Sequence, residues 1–140
     1  MNRTLMVGLV AGAVLLAACS ASVLQLDVGT CFDDPSGSYD EVSDVPVVDC
    51  DQPHDNEVFA NQDLTGSDFP GVDQVKNRAD AICLENFASY VGVPYADSIY
   101  EIGSLYPTAE TWGIGDREVI CFAYDMSLEK TTGSINGIAR

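Results

Sequence analysis

Four cysteines, Cys31, Cys50, Cys83 and Cys121, stand downstream of an apolar N-terminal run, and the two features together constrain the fold more than anything else in the chain. The opening MNRTLMVGLVAGAVLLAACSAS has one basic residue, Arg3, then fourteen uncharged, mostly apolar residues from Leu5 to Ala18, then a small-residue site ending in Cys19. A spanning helix needs roughly 20 such residues, and no basic stop-transfer flank follows, so the run reads as an export signal. Outside the cytoplasm thiols oxidise, and an even number in a small exported domain reads as two disulfides. Four cysteines allow three pairings, and spacing alone does not choose among them. Topology favours Cys31–Cys50, a local bridge across the turn-rich DDPSGSYDEVSD, and Cys83–Cys121, which would pin a helix to a late strand. Loops of these lengths contribute roughly 3 to 4 kcal/mol each in the chain-entropy account.

Leu16-Ala17-Ala18-Cys19 is similar to a bacterial lipobox, in which cleavage precedes the cysteine and Cys19 becomes the lipidated first residue. The expected organisation is a lipoprotein signal peptide over 1–18, the lipidated cysteine and a short tether over 19–25, and one extracytoplasmic domain over 26–140. Two or three acyl chains suffice for stable anchoring, which places the protein at the outer face of the cell membrane. The tether reaches roughly 20 Å at about 3.5 Å per residue, so the domain is expected to work close to that membrane. Removing 1–18 leaves 122 of the 140 residues, room for a single core. Those residues carry 5 Lys+Arg against 22 Asp+Glu, a formal charge of −17. Nucleic acid and anionic polymers are repelled, whereas a basic protein surface or a divalent cation is the electrostatic complement.

Periodicity supplies the elements. Val23–Phe32 alternates as a first strand; a second begins at Val45, breaks at Gln52-Pro53 and resumes in EVFA; Asn61–Gly71 is a loop. Val75, Ala79, Ile82, Cys83, Phe87 and Val91 fall on one helical face, ended by Gly92 and Pro94. Ser98–Tyr106 and Arg117–Asp125 alternate like paired strands joined by PTAETWGIGD, and TTGSINGIAR is a tail with little core potential. This predicts an α+β fold: a small antiparallel sheet with one main helix packed on a face and two disulfides. Trp112 and Tyr106 are expected to cap the core near the last hairpin.

The chemistry-bearing block is VPVVDCDQPHDNEVFA, Val45–Ala60, with Cys50, the single histidine His54, and Asp49, Asp51, Asp55 and Glu57. Zinc would need a thiolate where a disulfide is favoured, and a calcium loop of the DxDxDG kind is absent. A Cys50–His54 dyad would require a free thiol, and a serine nucleophile lacks a GxSxG-like elbow. The sequence therefore predicts neither an enzyme, a cofactor nor a metal site. His54 is expected to hydrogen-bond locally beside the Pro53 bend, at a strand edge kept open by solvated carboxylates. The candidate interaction surface joins Asp51, His54, Asp55 and Glu57 to the Trp112–Arg117 turn, with Arg117 paired to a carboxylate across the hairpin.

VGTCF at 28–32, VPVVDCDQPHDNEVFA at 45–60, FPG at 69–71, Cys83, the W-x-x-GDR-x-V-x-C pattern from Trp112 to Cys121, and the closing TGSINGIAR resemble the septum-formation family of actinobacterial membrane proteins and lipoproteins. Thr30 and Asn136 stand where the family is expected to carry an acidic and a basic residue. The resemblance implies an exported, cysteine-paired domain connected with cell division and no established reaction. The expected function is a membrane-anchored, non-enzymatic interaction module linked to septum formation, with a membrane-anchored or division-related protein as partner. The rival expectation is a lipoprotein that binds a small ligand or a divalent cation.

Overall fold

The computed structural model of the protein describes residues 26–35 and 42–140, and the backbone of residues 20–22. Cys19 and the signal-like run lie outside the described residues. Strands β1 (Ser20–Ser22), β2 (Cys31–Phe32), β3 (Asp44–Val48), β4 (Asn56–Asp63), β5 (Tyr100–Leu105) and β6 (Glu118–Asp125) pair in the order β1-β3-β2-β4-β6-β5, antiparallel throughout. Helix α1 (Val72–Val91) crosses one face, and a five-residue helix α2 (Ala109–Gly113) interrupts the last hairpin. The antiparallel sheet, single main helix and both disulfides match the expected α+β class. Among the described residues no helix is long and apolar enough to cross a membrane.

Helix α1 buries the six residues its spacing singled out, Val75, Ala79, Ile82, Cys83, Phe87 and Val91. It stops because Gly92 takes a left-handed conformation, φ 96°, and donates its N–H to Ala88 O at 3.0 Å. The Cys83–Cys121 disulfide ties this buried face to β6, and Cys31–Cys50 closes β2 onto the segment after β3.

The sheet has a core on each side. Under α1 lie Phe59, Ala60, Val119, Cys121 and Ala123 with the helix residues. Leu26, Phe32, Val45, Val58 and Ile120 form the second cluster, with Phe122 and Leu105 packed against it. A register shift between Val58 and Ala60 makes Phe59 the extra residue of a bulge, so both Phe59 and Ala60 face the helix.

Several sequence expectations need correction. Of the expected first strand, residues 23–25 lie outside the described residues; from Leu26 on, Thr30 N–H closes a turn on Asp27 O and Gly29 sits at φ 90°, so only Cys31–Phe32 of the described part join the ladder. The run expected to be a loop from Asn61 instead continues β4 to Asp63, held by Asn61↔Ile120 and Asp63↔Glu118. PTAETWGIGD holds α2, whose Thr108 caps Thr111 N while Thr111 Oγ1 reciprocates on Thr108 N. The tail is part of the core: Ile135 is 2% exposed, and Gly137 and Ala139 donate to Tyr90 O and Val91 O at the end of α1. One buried isoleucine among polar and glycine residues gives no periodic signal.

Candidate functional site

The block that begins at Cys50 enters the central strand of the sheet, not an edge, because β4 is flanked by β2 and β6. That placement decides the fate of its reactive side chains. His54 is 1% exposed, and its backbone bridges Thr131 in both directions at 2.9 Å. Its Nδ1 lies 2.8 Å from Gln52 O; a carbonyl only accepts, so Nδ1 carries a proton and the local bond expected beside Pro53 is present. The other ring nitrogen, Nε2, has no partner among the described residues.

Glu57, also 1% exposed, faces α1 and the tail. Its Oε1 accepts from Tyr90 Oη at 2.7 Å and Ser134 Oγ at 2.6 Å, and Oε2 accepts from Ile135 N at 2.8 Å. Burial, then the hydrogen bond to Glu57 and its charge, pushes Tyr90 up to about 12. Nearby, Gly133 N donates to Cys50 O at 2.6 Å. The chemistry-bearing side chains of this stretch thus form a clasp: β4 and the first disulfide hold the C-terminal segment against the end of α1.

Asp51 is exposed and Asp55 half-buried, whereas His54 and Glu57 are buried, so the three acids and the histidine of the expected surface do not share one face. Lys130 Nζ binds Asp55 at 3.1 Å and Asp33 at 2.5 Å. Asp55 lies below its ordinary value: burial alone would raise it, but the Asp34 N–H and the Lys130 ammonium outweigh burial.

The second half of the expected surface lies at the far end of the β4–β6 pair. Asn56 pairs with Tyr124 and Asp63 with Glu118, which puts the His54 and Arg117 ends roughly 20 Å apart at about 3.3 Å per residue. Trp112 is 3% exposed, donates Nε1–H to Ser67 O at 3.0 Å and meets Phe69 edge-on. Arg117 takes no carboxylate among the described residues. Its guanidinium lies 3.7 Å over the Trp112 ring and donates to the carbonyls of Trp112, Asp116, Gly66 and Ser67. The planar five-donor fork suits four carbonyls in a way that one carboxylate would not use. Together Trp112 and Arg117 pin the loop after β4 to α2.

Among the described residues the only histidine, cysteine and carboxylate atoms grouped for a metal are those of Cys31, His54 and Glu57, within 4.8 Å of one another. Cys31 is oxidised to Cys50 and Glu57 is occupied by three donors, so this group offers no thiolate and no free carboxylate oxygen pair. Asp49, Asp51, Asp55 and Glu57 do not converge on one point.

Among the described residues a groove of about 430 Å³ lies open between the turn after β6 and the start of β4, and sequence reasoning missed it. Phe122 and Tyr124 line it beside Gly103 and Ser104, and Asp34, Asp125 and Glu129 stand at its rim. Its one sequence signal is Gly103, a glycine inside a strand: a Cβ there would overlap the Phe122 ring.

A family model described as septum formation matches residues 27–139. No curated protein and no solved structure matches the chain. The match covers the whole clasp, including the tail to Ala139, and the chain belongs to the septum-formation family.

Proposed function

We propose that this protein is an actinobacterial lipoprotein, anchored through Cys19 at the outer face of the cell membrane, whose domain is a non-enzymatic interaction module in septum formation. The observation that carries this reading is the use made of the reactive side chains. His54, Glu57, Cys31 and Cys50 are consumed in closing the fold, and the groove and acidic exterior are what the domain offers to a partner. The family match supports the link to septum formation. The LAAC site and the apolar run before it support the anchor, and the formal charge of −17 after residue 18 favours a basic partner surface.

In-cell crosslinking followed by mass spectrometry tests the module. Recovery of a membrane-anchored or division protein, with signal concentrated at septa, is expected; uniform localisation with no such partner would sink the reading. Cys19→Ser is expected to move the chain from the detergent-rich to the aqueous phase on detergent partitioning. Retention in the detergent phase would remove the anchor. Calorimetric titration with calcium and zinc separates the module from a cation-binding lipoprotein, for which heat and a melting shift at about millimolar calcium are required.

A further inference from the structure

We infer that the groove on the face of the sheet away from α1 is a docking site for an arginine- or lysine-bearing segment of a partner protein, which rests on the interaction-module reading and narrows it. Phe122 and Tyr124 lie side by side along β6, ring centroids 6.4 Å apart and tilted by 36°, and present aromatic surface to the groove. Phe122 is free to lie across β5 because its cross-strand partner is Gly103, which has no side chain to fill the space. The volume, about 430 Å³, falls in the roughly 300 to 1,000 Å³ range of ligand clefts.

The charge around this aromatic floor identifies the occupant. Asp34, Asp55, Asp125 and Glu129 line the groove, and Lys130 is engaged by Asp33 and Asp55 at one end. Asp34, Asp125 and Glu129 have no ion-pair partner among the described residues. The Tyr124 hydroxyl registers this field: after burial, the charges of Glu101 and Asp34 hold its pKa up. Aromatic faces ringed by carboxylates suit a guanidinium or ammonium, which gains ring attraction and ion pairing at once. At the rim Leu128 is 78% exposed and held at φ 62°, an apolar side chain presented on a backbone that leucine seldom adopts.

The partner is read through side chains and not through an added strand. The outer edge of β5 is partly closed by its own side chains, Ser98 Oγ accepting from Tyr100 N and Glu101 Oε1 from Ile102 N, each at 3.1 Å.

The test uses the full chain in detergent and a fluorescent peptide of alternating arginine and serine, with the same peptide carrying neutral citrulline as control. Anisotropy is expected to show binding of the arginine peptide alone. Tyr124→Leu combined with Glu129→Gln is expected to weaken it about tenfold, with unchanged melting. Asp73→Asn combined with Glu85→Gln removes two exposed charges from α1 and is expected to change affinity less than about twofold. Equal losses in the two double variants, binding of the citrulline peptide, or no binding at all would overturn the groove. Crosslinking that recovers the same division partner from the Tyr124→Leu/Glu129→Gln cells would leave the module standing and remove this site from it.

Discussion

Glu57 is the side chain on which the closed fold depends most directly, and replacing it separates two accounts of that dependence. In Glu57→Ala, Ile135 N, which is fully buried, loses its acceptor and costs about 1 to 3 kcal/mol. Tyr90 and Ser134 lie near the surface and can turn to water, so each loses about 0.5 to 1 kcal/mol. Relief from burying a carboxylate offsets part of this, which leaves a net loss of about 3 kcal/mol. Glu57→Gln behaves differently. Its amide oxygen can keep Ile135 N, while its NH2 donates to the two hydroxyl oxygens, which accept as readily as they donate. Only the charge assistance is lost, about 1 kcal/mol. In a domain of this size 1 kcal/mol moves Tm by about 3 to 6 °C, so the alanine variant is expected to melt about 9 to 18 °C lower and the glutamine variant about 3 to 6 °C lower. Urea unfolding and amide exchange at Ile135 are the assays, with protection at that amide expected to fall about a hundredfold in Glu57→Ala and far less in Glu57→Gln. Equal destabilisation by the two substitutions, or a loss under about 1 kcal/mol in Glu57→Ala, would refute the clasp.

Ile135→Ala empties a core position filled from the tail and is expected to cost about 2 to 4 kcal/mol in urea unfolding, whereas a floating tail would cost nothing. Asp55 titrates below its ordinary value of 3.8, so the stability it contributes is present above that value and is lost as pH falls through the lower folded value. Lys130→Met is expected to move the Asp55 titration upward by NMR and to flatten this acid limb; an unmoved Asp55 would show that the backbone bond from Asp34 suffices. Arg117→Lys keeps the charge but loses the fork that reaches the carbonyls of Gly66, Ser67 and Trp112, and is expected to cost about 1 to 3 kcal/mol. A lysine variant as stable as the parent would show that charge alone holds the loop.

The clasp also changes what the signature block means. Cys50, His54 and Glu57 each meet the tail, through Gly133 N, Thr131 and the Ser134–Ile135 pair respectively. Their grouping in eight residues follows from a strand and a tail that run beside one another. A chemically suggestive cluster is here the seam of the fold, and the open groove lined by Phe122 and Tyr124 lies on the other face.

What the sequence determined by itself is what repeats locally or follows from compartment. The six-residue apolar face of α1 was legible because one helix buries one stripe, and the apolar start, read as an export signal, led to the expectation of the two disulfides that the structure holds, Cys31–Cys50 and Cys83–Cys121. The two final strands showed their alternation, although the helix between them hid in a turn-rich run whose cap is a Thr-x-x-Thr pair. Tertiary structure alone decided the rest. Whether Glu57 and His54 are exposed depends on which strand becomes central, and β4 is central because β2 and β6 come to it from opposite ends of the chain. Whether Arg117 meets a carboxylate or four carbonyls depends on a loop about fifty residues earlier, as the Gly66 and Ser67 contacts show. The tail's role rests on a single buried isoleucine and the two hydrogen bonds that Ser134 and Ile135 give to a distant acid, and the groove exists because Gly103 and Phe122 meet across a ladder. Periodicity reports how a segment buries its own face; it carries no information about which distant segment covers that face.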